Sequence, residues 1–271
     1  MLGRIALEHQ SMRLALDPPQ ISLRFIHVWR RNRLVWRKLA IPSMLGNLAD
    51  PMLYMLGLGY GLGAMLPQVG GTSYITFLAA GTVCSSTMMS ATFESMYSSF
   101  SRMHVQRTWD AIMNAPIVLD DVVFGEAVWA ASKAFLSGTA VFVVAAGLGL
   151  VASPIALWVL PLVFLTGLVF AGLGLIMTSL SPSYDFFMYY FTLVITPMML
   201  ACGVFFPLER LPAWLQAVTH ALPLTHAVAL ARPLMNGGVP AGVAVHVAVL
   251  VAYAVVAMYV ALVLARRRLL K

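Results

Sequence analysis

The sequence predicts an all-α integral membrane protein: six transmembrane helices, an N-terminal amphipathic interfacial helix, and short proline-broken helical pieces on the far side of the membrane. Three observations predict it. The 271 residues are 61% hydrophobic and only 10% charged, against about 25% charged in a soluble domain. The apolar residues fall into six runs of the ~20 residues that a bilayer requires. The basic residues, in a chain of net charge +7, gather at the two ends and in alternate loops. That pattern orients a membrane protein, and it makes nucleic acid a poor partner.

Taken in order, residues 1–20 form a polar tail closed by Pro18 and Pro19, where little order is expected. Residues 1–40 hold no apolar signal region and no small-residue cleavage site, so the first apolar run, starting near Pro42, is expected to be an uncleaved anchor. Residues 21–40 interleave Leu23, Ile26, Val28, Trp29, Leu34, Val35 and Trp36 with arginines. That pattern predicts a basic amphipathic helix in the cytoplasmic headgroups, with contact to a cytoplasmic partner as the sharper reading. The six-span domain covers 41–264, with spans near 43–66, 74–98, 122–151, 155–180, 186–204 and 242–264. Ser153-Pro154 joins the third to the fourth, and Ser181–Asp185 joins the fourth to the fifth. Gly167, Gly172 and Gly174 allow close helix approach in lipid. A basic tail, 265–271, ends the chain.

The first span is preceded by Arg4, Arg13, Arg24, Arg30, Arg31, Arg33, Arg37 and Lys38, and the last is followed by Arg266, Arg267, Arg268 and Lys271. The 99–121 loop holds Arg102 and Arg107, while the 67–73 loop and the 152–154 turn have none. Both termini are therefore expected in the cytoplasm. Segment 205–233, with Arg210 and Arg232, is then expected on the far side. It is too apolar for a solvated loop and too broken by Pro207, Pro212, Pro223 and Pro233 for a span. Broken helices at membrane depth are tolerated only when buried in protein or lining a cavity.

No catalytic set emerges. There is no GxxxxGK[ST] loop to hold ATP and no HExxH motif. His220, His226 and His246 have no matched carboxylates, so packing or polar roles are expected rather than a metal site. Cys84 and Cys202 lie in apolar runs and read as packing thiols. In the 99–121 loop, Arg102, Arg107, Trp109 and Asp110 lead into a short helix that stops at Pro116. Its Trp109, Ile112 and Met113 make an apolar face that needs a groove to fill. Glu94, Glu126 and Lys133 are ionisable groups inside spans, which are costly without partners. Lys133 is expected to pair with Glu94 or Glu126. At the start of the fifth span Tyr184, Phe187 and Tyr190 read either as an interfacial aromatic belt or as a stacking surface for sugar rings. Trp214, with Arg210, is a candidate for the exit side.

Together these stretches resemble the ABC-2-type exporter permeases, and among them the NodJ family. The resemblance rests on Arg-Thr-Trp-Asp-Ala at 107–111, Leu-Gly-Asn-Leu-Ala-Asp-Pro-Met at 45–52, Phe-Leu-Ala-Ala-Gly at 77–81, Ser-Pro-Ser-Tyr-Asp at 181–185 and the proline-broken far-side segment. It implies a homodimer in the bacterial inner membrane with a separate NodI-like ABC ATPase subunit. ATP and magnesium would bind that subunit and no cofactor would bind this chain. It implies that 99–121 is the coupling segment, 205–233 a re-entrant hairpin, and the cargo a lipo-chitooligosaccharide. The alternatives are an ABC-2 permease for another amphiphile, such as a polysaccharide or drug, and an ion-coupled secondary transporter. A membrane enzyme on lipid-linked sugars would need paired acids, and Asp50 and Glu209 do not make a pair.

Overall fold

The computed structural model describes residues 17–66, 68–69 and 71–270. Arg4, Arg13 and Lys271 of the charge pattern, and residues 1–16 of the expected tail, lie outside the described residues.

Helix α1 (Phe25–Trp36) is the predicted amphipathic element. Helix α2 (Ala40–Met52) continues as a π segment, Leu53–Leu58, and short turns to Ala64. Strands β1 (Gln68–Val69) and β2 (Thr72–Ser73) form an antiparallel hairpin where only a loop was expected. Ser73 then caps α3 (Tyr74–Phe93) by accepting from the Thr76 amide, as short hydroxyl side chains do at helix starts. The short α4 (Thr108–Met113) leads to α5 (Leu119–Gly147). Next come α6 (Pro154–Leu180) and α7 (Asp185–Ala201). The far-side segment gives α8 (Ala213–His220) and α9 (Pro223–Met235), and the chain ends in α10 (Val243–Leu269). The arginines at 266–268 are thus the last turn of α10 rather than a separate tail.

By length and composition, α5, α6 and α10 are apolar enough to cross a membrane. The other expected spans are helical but interrupted. α2 and α7 carry internal π segments, Leu53–Leu58 and Phe191–Ile195, and α3 passes into one at Glu94. α3 also buries a run of hydroxyls, Thr82, Ser85, Ser86, Thr87 and Ser90, which lowers its apolarity.

The core is a packed set of α3, α5, α6 and α10, with α9 seated against α3, α6 and α10. Pro223 opens α9, where its missing N–H costs nothing. Ten of the helix's side chains are buried, from Pro223 to Met235, which meets the requirement for a broken helix among spans. Two glycines let neighbouring segments approach closely. A Cβ on Gly81 of α3 would lie 2.6 Å from the Val204 carbonyl oxygen, and one on Gly125 of α5 would lie 2.7 Å from Val28 Cβ of α1. The contact at Gly81 is with backbone, which cannot swing aside. Gly81→Val should therefore cost about 1–3 kcal/mol through overpacking. The readout is the Tm of the detergent-solubilised protein, and an unchanged Tm would contradict this packing.

Candidate functional site

At one end of the bundle, α3 leaves α geometry at Glu94 and continues through two π segments, Glu94–Ser98 and Ser101–Val105. The wider turn brings Glu94, Ser98, Ser99 and Arg102 to face α5 together. Such π insertions recur at functional sites. Glu94 accepts hydrogen bonds from Arg102 Nη2 (3.0 Å), Trp129 Nε1 (2.8 Å), Lys133 Nζ (2.8 Å) and Ser98 Oγ (3.0 Å). Glu126 accepts from Arg102 Nη2 (2.5 Å) and Nε (2.9 Å), Ser99 Oγ (3.0 Å), Asn32 Nδ2 (3.1 Å) and Trp109 Nε1 (3.3 Å). Two carboxylates and two cations close on each other with no net charge. Each carboxylate oxygen is satisfied, as burial demands. The set joins α1, the end of α3, α4 and α5 through one cluster of polar atoms.

Several expectations change here. Lys133 pairs with Glu94 of α3, although it shares a face of α5 with Glu126. Arg102 was placed on the surface offered to a partner. It is only 11% exposed, and its guanidinium bridges Glu94 and Glu126. A carboxylate pair in one buried site needs a bidentate cation between the two members. Trp109 was expected to fill an external groove. It is 1% exposed and fills this chain's own core beside Val122, Met103 and Leu175. Ile112 and Met113 are half-buried on the same cluster. A single six-residue helix cannot cover its own apolar side, so the bundle covers it. Exposed around this short helix are Arg107, Asp110, Ala111, Asn114 and Ala115, with Val105, Gln106, Pro116 and Val118 beside them. Arg107 has φ 49°, the left-handed region that a non-glycine residue seldom occupies. That bend sets the angle at which α4 leaves α3. Just before it, burial and then the nearby Arg268 hold the His104 imidazole below its usual range.

The aromatic start of α7 packs inward. Phe187 is fully buried between Tyr97 (5.2 Å) and Phe100 (5.3 Å), and Tyr184 stacks on Tyr97 at 6.0 Å. These edge and stacked contacts tie α7 to α3. Of the three candidates, Phe187 is closed off, while Tyr184 and the outer side of half-buried Tyr190 stay open for stacking, beside exposed Tyr189. At the opposite end, Arg210 and Trp214 are both exposed, Trp214 to 69%.

With this geometry in place, comparison with known proteins is decisive. The family profile of the ABC-2 type transporters matches residues 24–236. The chain belongs to the ABC-2 type transporter family. It is 49% identical over 252 residues to Nodulation protein J of Rhizobium meliloti, covering 93% of this chain and 96% of that protein. It is 49% identical over 253 residues to Nodulation protein J of Bradyrhizobium diazoefficiens, covering 93% and 97%. It is 24% identical over 204 residues to the inner membrane transport permease YadH of Escherichia coli, covering 74% and 78%.

This ABC-2 transporter also uses residues that the sequence reading passed over. Arg266 at the end of α10 pairs with Asp120 of α5 and donates to the Asp17 carbonyl at 2.6 Å. Asp120 also accepts from the Gln20 amide, and Asp121 from the Ser22 amide, both at 2.7 Å. Residues 17–24 are thereby strapped across the bundle end. Arg268 donates to the Ser179 carbonyl at 2.8 Å, capping the end of α6. At the far end Arg232 donates to the Gly203 carbonyl at 2.5 Å and lies over the Phe77 ring at 3.6 Å. His226 Nε2 lies 3.0 Å from the His220 carbonyl, which can only accept. Its Nδ1 therefore accepts from His246 Nδ1 at 2.7 Å when the ring is neutral. The acids and bases of the spans signal the first cluster in sequence: Glu94 and Glu126 with Lys133 alone leave one carboxylate short of a cation.

Arg102→Met should cost about 3–5 kcal/mol, because it strands a buried carboxylate. Adding Glu126→Gln removes that stranded charge while keeping the Glu94–Lys133 pair, so the double variant should recover part of the loss. Thermal unfolding in detergent checks both. A double variant no better than the single one would contradict the bridging role.

Proposed function

We propose that this chain is the membrane-spanning permease of an ABC exporter, moving a lipo-chitooligosaccharide or a closely similar lipid-linked oligosaccharide out of the cytoplasm. On this reading all six apolar runs cross the bacterial inner membrane, both termini are cytoplasmic, and the α8–α9 pair is re-entrant from the outer side. Two copies of the permease assemble with two copies of a NodI-like ATPase, which binds ATP and magnesium. The permease is not itself an enzyme.

The observation that carries the reading is how α4 is mounted. Its outward side, Arg107, Asp110, Ala111 and Asn114, is free for a partner. Its inward side is fixed by Trp109 and, seven residues earlier in the preceding π segment, by Arg102 to the Glu94–Glu126 cluster. A push on the outer side reaches α1, α3 and α5 at once. A bundle without a bound energy source cannot shift its own equilibrium, so the push has to come from a nucleotide-driven partner. Trp109 serves as the anchor of the segment and the exposed residues as its contact. The names of the relatives, Nodulation protein J, agree with a cargo used in nodulation, and the inner membrane permease relative agrees with the location.

The test is export into vesicles by permease reconstituted with and without the ATPase subunit. ATP-dependent uptake of an N-acylated chitin oligomer is expected only with the subunit, and uptake that persists without it would overturn the reading. Asp110→Lys and Ala111→Trp should each reduce co-purification of the ATPase by about tenfold or more, the scale of losing one good interface contact. Both should leave the permease's own Tm within a few degrees, because neither side chain is buried. Trp109→Ala is the less informative variant, since it also opens the core.

A further inference from the structure

We infer that a cleft between α2, α3 and α7 is the binding site for the sugar part of the cargo, and that it selects an uncharged, hydroxyl-rich headgroup over a phosphate. This rests on the export reading above and gives it a site. The cleft has a volume of about 150 Å³ and is lined by Asn47, Asp50, Thr82, Ser85, Ser86 and Ser90 among others. That volume is below the roughly 300–1,000 Å³ of a pocket that encloses a whole drug-sized ligand. It suits one ring of an oligomer, with the rest passing along the open side.

The lining is unusual for its depth. Asp50 lies seven residues, about 10 Å, along α2 from the expected start of the first span at residue 43, and so within the ~30 Å hydrocarbon layer on the export reading. It is exposed, and among the described residues it has no hydrogen-bond or ion-pair partner. An ionisable group at such depth is expected to face a cavity or a ligand. Two of the neighbouring hydroxyls have committed their protons: Thr82 donates to the Leu78 carbonyl (2.8 Å) and Ser85 to the Thr82 carbonyl (3.2 Å), while Ser90 accepts from Asn47 Nδ2 (3.4 Å) and keeps its own. The remaining capacity of Thr82 and Ser85, like that of Asp50 and the Asn47 side-chain oxygen, is to accept. The wall is therefore rich in acceptors, and its lining includes no lysine or arginine.

An acceptor wall suits a donor-rich ligand. Sugar hydroxyls and N-acyl amides supply such donors. A phosphate offers only acceptors and negative charge, and it would sit against Asp50 with no cation to offset it. Tyr54, Phe93 and Phe205 also line the cleft, giving apolar faces of the kind that receive the C–H side of a sugar ring. The aromatic start of α7 lies outside this lining.

The test uses the permease–ATPase complex in proteoliposomes. Ser85→Cys is labelled with a hydrophilic thiol reagent; Cys84 and Cys202 are buried and provide little background. Tetra-N-acetylchitotetraose should slow labelling severalfold, and undecaprenyl phosphate should not. Asp50→Lys should remove the protection by chitotetraose. Asp50→Asn and Ser90→Ala should each raise the KM for an acylated chitin oligomer about tenfold, the effect of losing one good hydrogen bond. No protection by chitotetraose in a complex that still exports the acylated oligomer would overturn the site and leave the export reading standing. Protection by undecaprenyl phosphate instead would overturn the selectivity. A wild-type complex that exports no oligosaccharide, with Ser85→Cys still protected by chitotetraose, would overturn the export reading and keep the site.

Discussion

The closed set of Glu94, Arg102, Glu126 and Lys133 is the constraint around which this end of the molecule is arranged. Four charges among apolar helices would each be prohibitive alone, and together they are tolerable because every carboxylate oxygen is hydrogen-bonded and each cation is paired with a carboxylate. Buried ion pairs are weak evidence for net stability, since desolvation consumes most of their attraction. Their stronger effect here is geometric. Glu126 can be satisfied only when α1 presents Asn32, α3 presents Ser99 and Arg102, and α4 presents Trp109. One carboxylate thus fixes the mutual position of four elements.

The helices around that set divide into two kinds. α5, α6 and α10 are long and regular, and they form the part that resists deformation. α2 and α7 contain π segments and pack less completely, with Leu45, Leu53, Tyr54, Leu193 and Leu200 outward, while α3 is packed in the core and turns to π geometry only at Glu94. The acceptor-lined cleft lies among these three. A transporter must keep its fulcrum stiff and its path adjustable, and the irregular helices are the ones bordering the path.

Much of the architecture was legible in the sequence because it depends on apolar run length. All six runs are helical close to their expected limits, α1 is where the arginine-interleaved pattern put it, and the proline-broken segment is a pair of short helices. Arg102 and Trp109 were harder to read. Their residue types suit an exposed basic loop, and only the π turns beginning at Glu94 carry them back over α5. Helical periodicity assumes regular turns, so it misplaces side chains downstream of such an insertion. Asn32 was hidden among arginines for a similar reason: one polar residue facing inward does not disturb an amphipathic pattern. Phe187 reads as a belt residue from composition, and its burial depends on Tyr97 and Phe100, which are remote in sequence. The hydroxyl row of α3 is visible in the letters, but its function appears only once α2 lies beside it.

The bond from Arg266 to Asp120 and to the Asp17 carbonyl joins residues some 250 positions apart. A ribosome makes residue 266 long after residue 17. The strap over residues 17–24 therefore cannot be fastened until α10 has been made. α9 waits as well, because one of its walls is α10. The permease is in this sense fastened by α10, and a chain interrupted before it is left with a loose strap over residues 17–24 and an unsupported α9.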